Sequence, residues 1–179
     1  LKTRQIPMRA KPFAVGVRME HPQEMINISQ YGADYPSFLP SAAYKVTRQT
    51  GAGRGVYSFC MCPGGYVVNA SSEKGHLAVN GMSYHARDSR NANSAMIVTV
   101  TPEDFGSDDI LAGVEFQRKL ERAAYELGGG KVPVQLFGDF CQNIPTTTLG
   151  EVEPCIKGQY TFANVRNIFP AELSSALEE

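Results

Sequence analysis

The stretch Cys60-Met61-Cys62-Pro63-Gly64-Gly65 places two thiols at alternate positions ahead of a proline-glycine turn, where backbone can lie close to a ligand. Three chemistries compete for it. A zinc site uses short, matched cysteine pairs, and Cys141 and Cys155 do not supply the second pair. Redox or nucleophilic use needs a thiolate of depressed pKa, and no sequence-adjacent His, Lys or Arg promises one. The third reading, small cysteines on a strand face beside a structural turn, leads because free cysteine is among the most buried residue types. The glycines keep a ligand-facing turn in play.

Other motifs carry less. Gly51-Ala52-Gly53-Arg54-Gly55 invites a nucleotide-binding reading, but that fingerprint needs a strand before it and a helix opening within it. Here Val56-Tyr57-Ser58-Phe59 follows directly, so the cluster reads as a hairpin turn. Gly128-Gly129-Gly130-Lys131 lacks the hydroxyl residue and following helix of a phosphate loop, and reads as a helix stop. His21, His76 and His85 lie on different elements without ligand spacing. The polar segment Asn80, Ser83, Tyr84, His85, Arg87, Asp88, Arg90, Asn91, Asn93 either reads a polar substrate or is a solvated loop, with the loop favoured. No G-x-S-x-G elbow or H-E-x-x-H motif is present.

The elements that position these residues follow from periodicity. Alternation from Pro12 to Glu20 predicts a strand, and Pro22 to Tyr31 a short helix with Gly32 as a left-handed cap. Short strands are expected at Tyr44 to Thr50, Gly55 to Cys62, Tyr66 to Ser71, His76 to Met82 and Ala95 to Thr101, with a polar break from Arg87 to Asn93. A long helix is expected from Asp109 to Leu127, with Leu111, Val114, Phe116, Leu120, Ala123, Ala124 and Leu127 on one side and a Glu115-Lys119 pair on the wet face. Val132 to Phe137 and Tyr160 to Ile168 read as extended, and a helix starts at Pro170. The fold class is α+β: an antiparallel, β-rich curled sheet or small barrel with one long helix and short helices.

Composition narrows the partners. The 179 residues carry a formal net charge of -1, so no basic field exists to hold nucleic acid or acidic lipid. No apolar run approaches the roughly 20 residues that span a bilayer, and Leu1 to Ala10 lacks an apolar export core. Four cysteines do not require a disulfide framework, and a reducing cytoplasm fits. The chain starts at Leu1 and ends within an amphipathic pattern without a stop, so a segment of a longer protein is expected.

Several long segments resemble a bacterial family of NAD(FAD)-utilising, FAD-dependent dehydrogenases. They are Lys11 to Gln23, Val56 to Ala70 and Leu77 to Ser83, followed by Asn91-Ala92-Asn93-Ser94-Ala95, Val114-Glu115-Phe116-Gln117 and Pro154-Cys155-Ile156-Lys157-Gly158. The resemblance implies a dinucleotide-binding FAD domain whose parts lie before and after this region, making residues 1–179 a single inserted cap or substrate domain. It implies FAD in the full-length parent, NAD(P)H among the candidate donors, and no cofactor bound to the isolated segment. Implied partners are the parent's own FAD-binding domain and a small-molecule substrate. Such insertions cover the flavin ring and shape the substrate pocket. The flavin- or substrate-facing candidates are Cys60, Cys62, Pro63, Gly64, Gly65 and Asn80. No metal and no catalytic residue are assigned, and the isolated segment is expected to be inactive. The alternative is a self-sufficient, non-catalytic β-module that binds a ligand or protein.

Overall fold

Alternation of small and branched residues lets one strand serve two faces, and the longest strands do so here. In the computed structural model, which describes residues 2–179, β1 (Phe13–Pro22) lies antiparallel to β6 (Asn91–Val100) along its whole length, from Phe13 opposite Val100 to Pro22 opposite Asn91. β3 (Gly55–Cys62) pairs on the other side of β6, and β2 (Thr47–Gln49) closes the edge, giving an antiparallel sheet in the order β1-β6-β3-β2. A second sheet joins β5 (Val79–Ser83), β4 (Gly65–Asn69) and β8 (Ile156–Lys157), with β8 parallel to β4. A third, parallel pair joins β7 (Val132–Val134) and β9 (Tyr160–Phe162). The sheets are open, with no closed barrel among the described residues.

Five helices accompany the strands among the described residues: α1 (Gln23–Tyr31), α2 (Pro102–Phe105), α3 (Ala112–Gly128), α4 (Phe137–Gln142) and α5 (Ala171–Glu178). On one face of the main sheet, Val56, Val98 and Val100 bury against Leu173 and Ala176 of α5. Phe13, Phe105 and Phe116 stack at its edge, with centroids 5.2 Å apart for Phe13 and Phe105 and 5.5 Å for Phe105 and Phe116. Farther along that face Ala92 packs with Ile26, Ala42, Tyr44 and Met61. A third apolar cluster, Leu77, Ala124 and Val132, joins α3 to the smaller sheets.

The α+β expectation is borne out, with local corrections. β6 begins at Asn91, inside the segment expected as a break, because Asn91 and Asn93 find hydrogen-bonding partners between the sheets. Phe137 starts α4 and is not strand: the Leu136 N–H bonds Thr146 Oγ1 at 2.8 Å, and Asn143, at φ 55°, caps the far end. Val165–Ile168 is a 3-10 turn, not extended chain. Gly32 has positive φ (90°) but extended ψ, so α1 does not end in a left-handed cap. Leu111 and Val114 are exposed on the outer side of α3, and Glu115 pairs with Arg118 at 2.8 Å in place of Lys119. Arg118 also reaches Glu73 at 3.0 Å, which fixes that rotamer.

The turn Gly51–Gly55 is tied to α2 by Arg54, whose guanidinium holds both oxygens of Asp104 at 3.0 and 2.5 Å. The same carboxylate accepts the Thr101 N–H at 2.8 Å. The Arg54 hydrogen bonds hold the Asp104 carboxyl below its ordinary range. Asp104→Asn should therefore destabilise the domain by about 1–3 kcal/mol at neutral pH. A depressed folded pKa gives stability that is present above the unfolded value of about 3.9 and lost as pH falls through the folded one. Urea melts of both proteins at pH 7 should differ, and the difference should shrink below pH 4.

Candidate functional site

The second face of the main sheet is polar at one end and apolar and half-buried at the other. Strand register puts Gly16, Ile97 and Tyr57 in one row, Arg18, Ala95 and Phe59 in the next, and Glu20, Asn93 and Cys62 in a third. Phe59 and Cys62 can share a face because one extra residue enters β3 between them, shifting its register against β6. The carbonyl of Cys60, at φ 45° in this bulge, accepts from both Nη1 and Nη2 of Arg18 at 3.1 Å. Arg18 also donates to Asn93 Oδ1, to Asn80 Oδ1 at 3.3 Å and toward Cys62 Sγ at 3.8 Å.

β5 crosses this guanidinium at Gly81, where any Cβ would overlap Arg18 Nη1 and Asn93 Oδ1. Asn93 is 0 % exposed, and its Nδ2 has no hydrogen-bond partner. Glu20, two residues along β1 from Arg18, turns to a different set of partners. It accepts the Cys155 N–H at 2.8 Å and Asn91 Nδ2 at 3.2 Å. Burial raises its pKa, the hydrogen bonds and Arg90 opposing that shift.

The candidates named from sequence thus fall into two groups. Cys60, Cys62 and Asn80 all contact Arg18, with Cys60 and Asn80 at the surface. Pro63, Gly64 and Gly65 are buried. The Gly64 N–H donates to buried Gln23 Oε1 at 2.7 Å, and a Cβ on Gly64 would overlap the Arg87 carbonyl. The close approach that Gly64 permits in this domain is to its own chain.

Cys62 and Pro63 also line a cleft of about 500 Å³ with Ser41, Ser83, His85 and Arg87. All four cysteines are free thiols. Among the described residues, no group of three or more His, Cys, Asp or Glu could hold a metal. His21 contacts Tyr44 Oη at 2.5 Å, and burial lowers its pKa.

Arg18, Glu20 and Gln23 were missed from sequence. The signal was present in Gly16-Val17-Arg18-Met19-Glu20, where alternation puts two charges beside a glycine on one strand face. The polar segment divides: Asn91 and Asn93 are buried strand residues, whereas Tyr84 to Asp88 are exposed.

The glycine clusters do not form a dinucleotide cradle. Gly51–Gly55 closes the β2-β3 hairpin, with Thr50 N–H to Arg54 O at 2.8 Å and Gly53 N–H to Thr50 O at 2.9 Å, while the Gly51 N–H is taken by Glu179 at 2.9 Å. Gly129 caps α3 at φ 57°, and β7 follows it without a helix.

Comparison with known proteins settles the family. A family model described as "FAD-dependent protein, C-terminal domain-like" matches residues 12–179. The chain belongs to that family. A protein of Clostridium beijerinckii named "Uncharacterized protein" is 54% identical over 179 residues, covering 97% of this chain. The chain spans 33% of that relative's length. The family places the domain in an FAD-dependent protein. No helix of the described residues is long and apolar enough to cross a membrane.

Glu20 offers a check on the polar layer. Its folded pKa is raised, so the stability associated with it is complete below the ordinary carboxylate value and lost as pH rises through the folded value. Gln in its place retains an acceptor for Cys155 and Asn91 without a charge to desolvate. Glu20→Gln should raise the melting temperature at pH 7, and the gain should vanish near pH 4, as read by thermal melts at both pH values.

Proposed function

We propose that this domain forms the substrate-side wall of the flavin site in an FAD-dependent oxidoreductase, inserted as a cap into a longer protein that supplies the dinucleotide cradle. One observation carries the reading: the face of the main sheet beside Arg18 is only half-buried in this domain. Its rows consist of Gly16, Ala95, Ile97 and Tyr57, with Phe59 57 % exposed at the rim. A floor of Gly16, Ala95 and Ile97 edged by aromatic rings suits a planar ring system, and the cation at its end suits polar ring atoms or a polar substrate. Family membership and the relative's threefold greater length support a covering partner in the same polypeptide.

When bound, FAD supplies the hydride- or electron-transfer chemistry, with NAD(P)H the candidate donor in a dehydrogenase. This chain's residues exclude water, present Cys60, Cys62 and Asn80 around Arg18, and fix the substrate against the ring. The isolated chain is then inactive for want of its partner, and the small-molecule substrate enters between the two parts.

The test uses the full-length protein. Phe59→Asp places a charge at the rim of this half-buried face without disturbing a buried contact. It should shift the flavin absorbance bands and reduce turnover at least about tenfold, because the charge must be desolvated against the ring. A variant with the parental flavin spectrum and turnover would refute the placement.

A further inference from the structure

We infer that Arg18, framed by Gly81 and fronted by Asn80, is the recognition point for the carboxylate of an organic-acid substrate. The inference gives a substrate class to the face proposed above, and rests on that reading for the neighbouring flavin.

The first ground is charge. Every contact of the Arg18 guanidinium is to a neutral group: a carbonyl, two amide oxygens and a thiol. Among the described residues it forms no ion pair, although Glu20 is the next side chain along the same strand face. That carboxylate is committed to Cys155 and Asn91. A half-buried cation without a counter-ion exerts a stronger field than one in bulk water, and its planar fork matches a carboxylate.

The second ground is what the fold gives up to hold it. Asn93 orients Oδ1 toward Arg18, and its fully buried Nδ2 is left without a partner. An orphaned buried donor costs about 1–3 kcal/mol, and such costs concentrate at functional sites. Gly81 omits the Cβ that would displace the guanidinium. A guanidinium serving merely to staple three strands would not need this arrangement, because a carboxylate at position 80 or 93 would bind it more tightly.

The third ground is access. Asn80 is exposed, its bond to Arg18 is long at 3.3 Å, and the Cys62 contact is longer still at 3.8 Å. Arg18 Nε makes no hydrogen bond among the described residues. An arriving carboxylate can therefore take Nε and replace the weak neutral contacts without breaking the Cys60 carbonyl clamp. The apolar neighbours Phe59 and Tyr57 on the same face favour an organic acid over a small inorganic anion.

Asn80→Asp provides the test. Asp keeps the acceptor that the Gly81 N–H uses at 2.8 Å and puts an internal carboxylate beside Arg18, so the fold is retained while the cation is neutralised. The full-length flavoprotein and its N80D variant would be titrated with sodium benzoate and with the neutral analogue benzamide. Binding would be read by calorimetry, and flavin absorbance recorded in the same samples.

The parental protein should prefer benzoate over benzamide by about tenfold or more, and N80D should abolish that preference while leaving benzamide unchanged. Equal binding of the two probes to the parental protein, no binding of either, or an unchanged preference in N80D would overturn the inference. A benzoate preference that N80D abolishes in calorimetry, without any flavin spectral change, would sustain the carboxylate site and refute its placement against flavin.

Discussion

The guanidinium of Arg18 ties β3 and β6 of the main sheet to β5 of the second sheet, a connection that no strand ladder makes. It clamps the Cys60 carbonyl of the β3 bulge, orients Asn93 of β6 and meets Asn80 of β5, which belongs to the other sheet. The bulge turns the Cys60 carbonyl inward at φ 45°, a conformation unfavourable for a residue with a Cβ, and two N–H donors hold it there. The sheet crossing in turn requires Gly81, since any side chain there would occupy the guanidinium's position. One cation and one missing Cβ thus let the two sheets meet at this point.

Around this junction the two faces of the main sheet divide the work. Valines and phenylalanines on one face bury against α5, α2 and α3 and supply the apolar driving force. The opposite face carries Arg18, Glu20, Asn91 and Asn93 in a layer where each charge or amide is assigned a partner except Asn93 Nδ2. Glu20 tethers the Pro154-Cys155 segment to β1, bringing β8 beside β4. Gln23 does the equivalent at the other end, holding Gly64 and Ala42 from the first turn of α1. Buried polar layers of this kind fix geometry more than they add stability.

Much of this was legible in the residues. β1, α1, β3 and α3 follow from period and punctuation, because each element buries one face and stops at proline or glycine. Local pattern could not reveal what depends on distant partners. Asn91 and Asn93 read as loop residues by type, yet the polar layer makes a strand interior out of them. Phe137 reads as the end of an extended segment and the residues after it as loop, yet Thr146, several residues later, supplies a hydroxyl for a helix start there. In the site, the thiols and glycines of residues 60–65 drew attention by rarity, whereas Arg18, an ordinary residue on an alternating strand, organises them. The glycines at 64 and 65 serve packing within the domain, and Cys60, Cys62 and Asn80 form the rim around the cation.

The proposed role, a wall for a cofactor held elsewhere in the polypeptide, matches a domain that spans a third of a relative's length, leaves one sheet face half-buried and makes no dinucleotide cradle from its glycine loops. Cys60 lies exposed at the rim of that face and reports directly on whether it is covered. The most direct measurement is the rate of Cys60 alkylation by iodoacetamide, followed by peptide mass spectrometry, in the isolated chain and in the FAD-loaded full-length protein. Coverage of this face in the full-length protein predicts rapid modification in the isolated chain and slowing of about tenfold or more in the full-length protein, with part of that protection lost on removing FAD. Equal rates in the isolated chain and the loaded protein would contradict it.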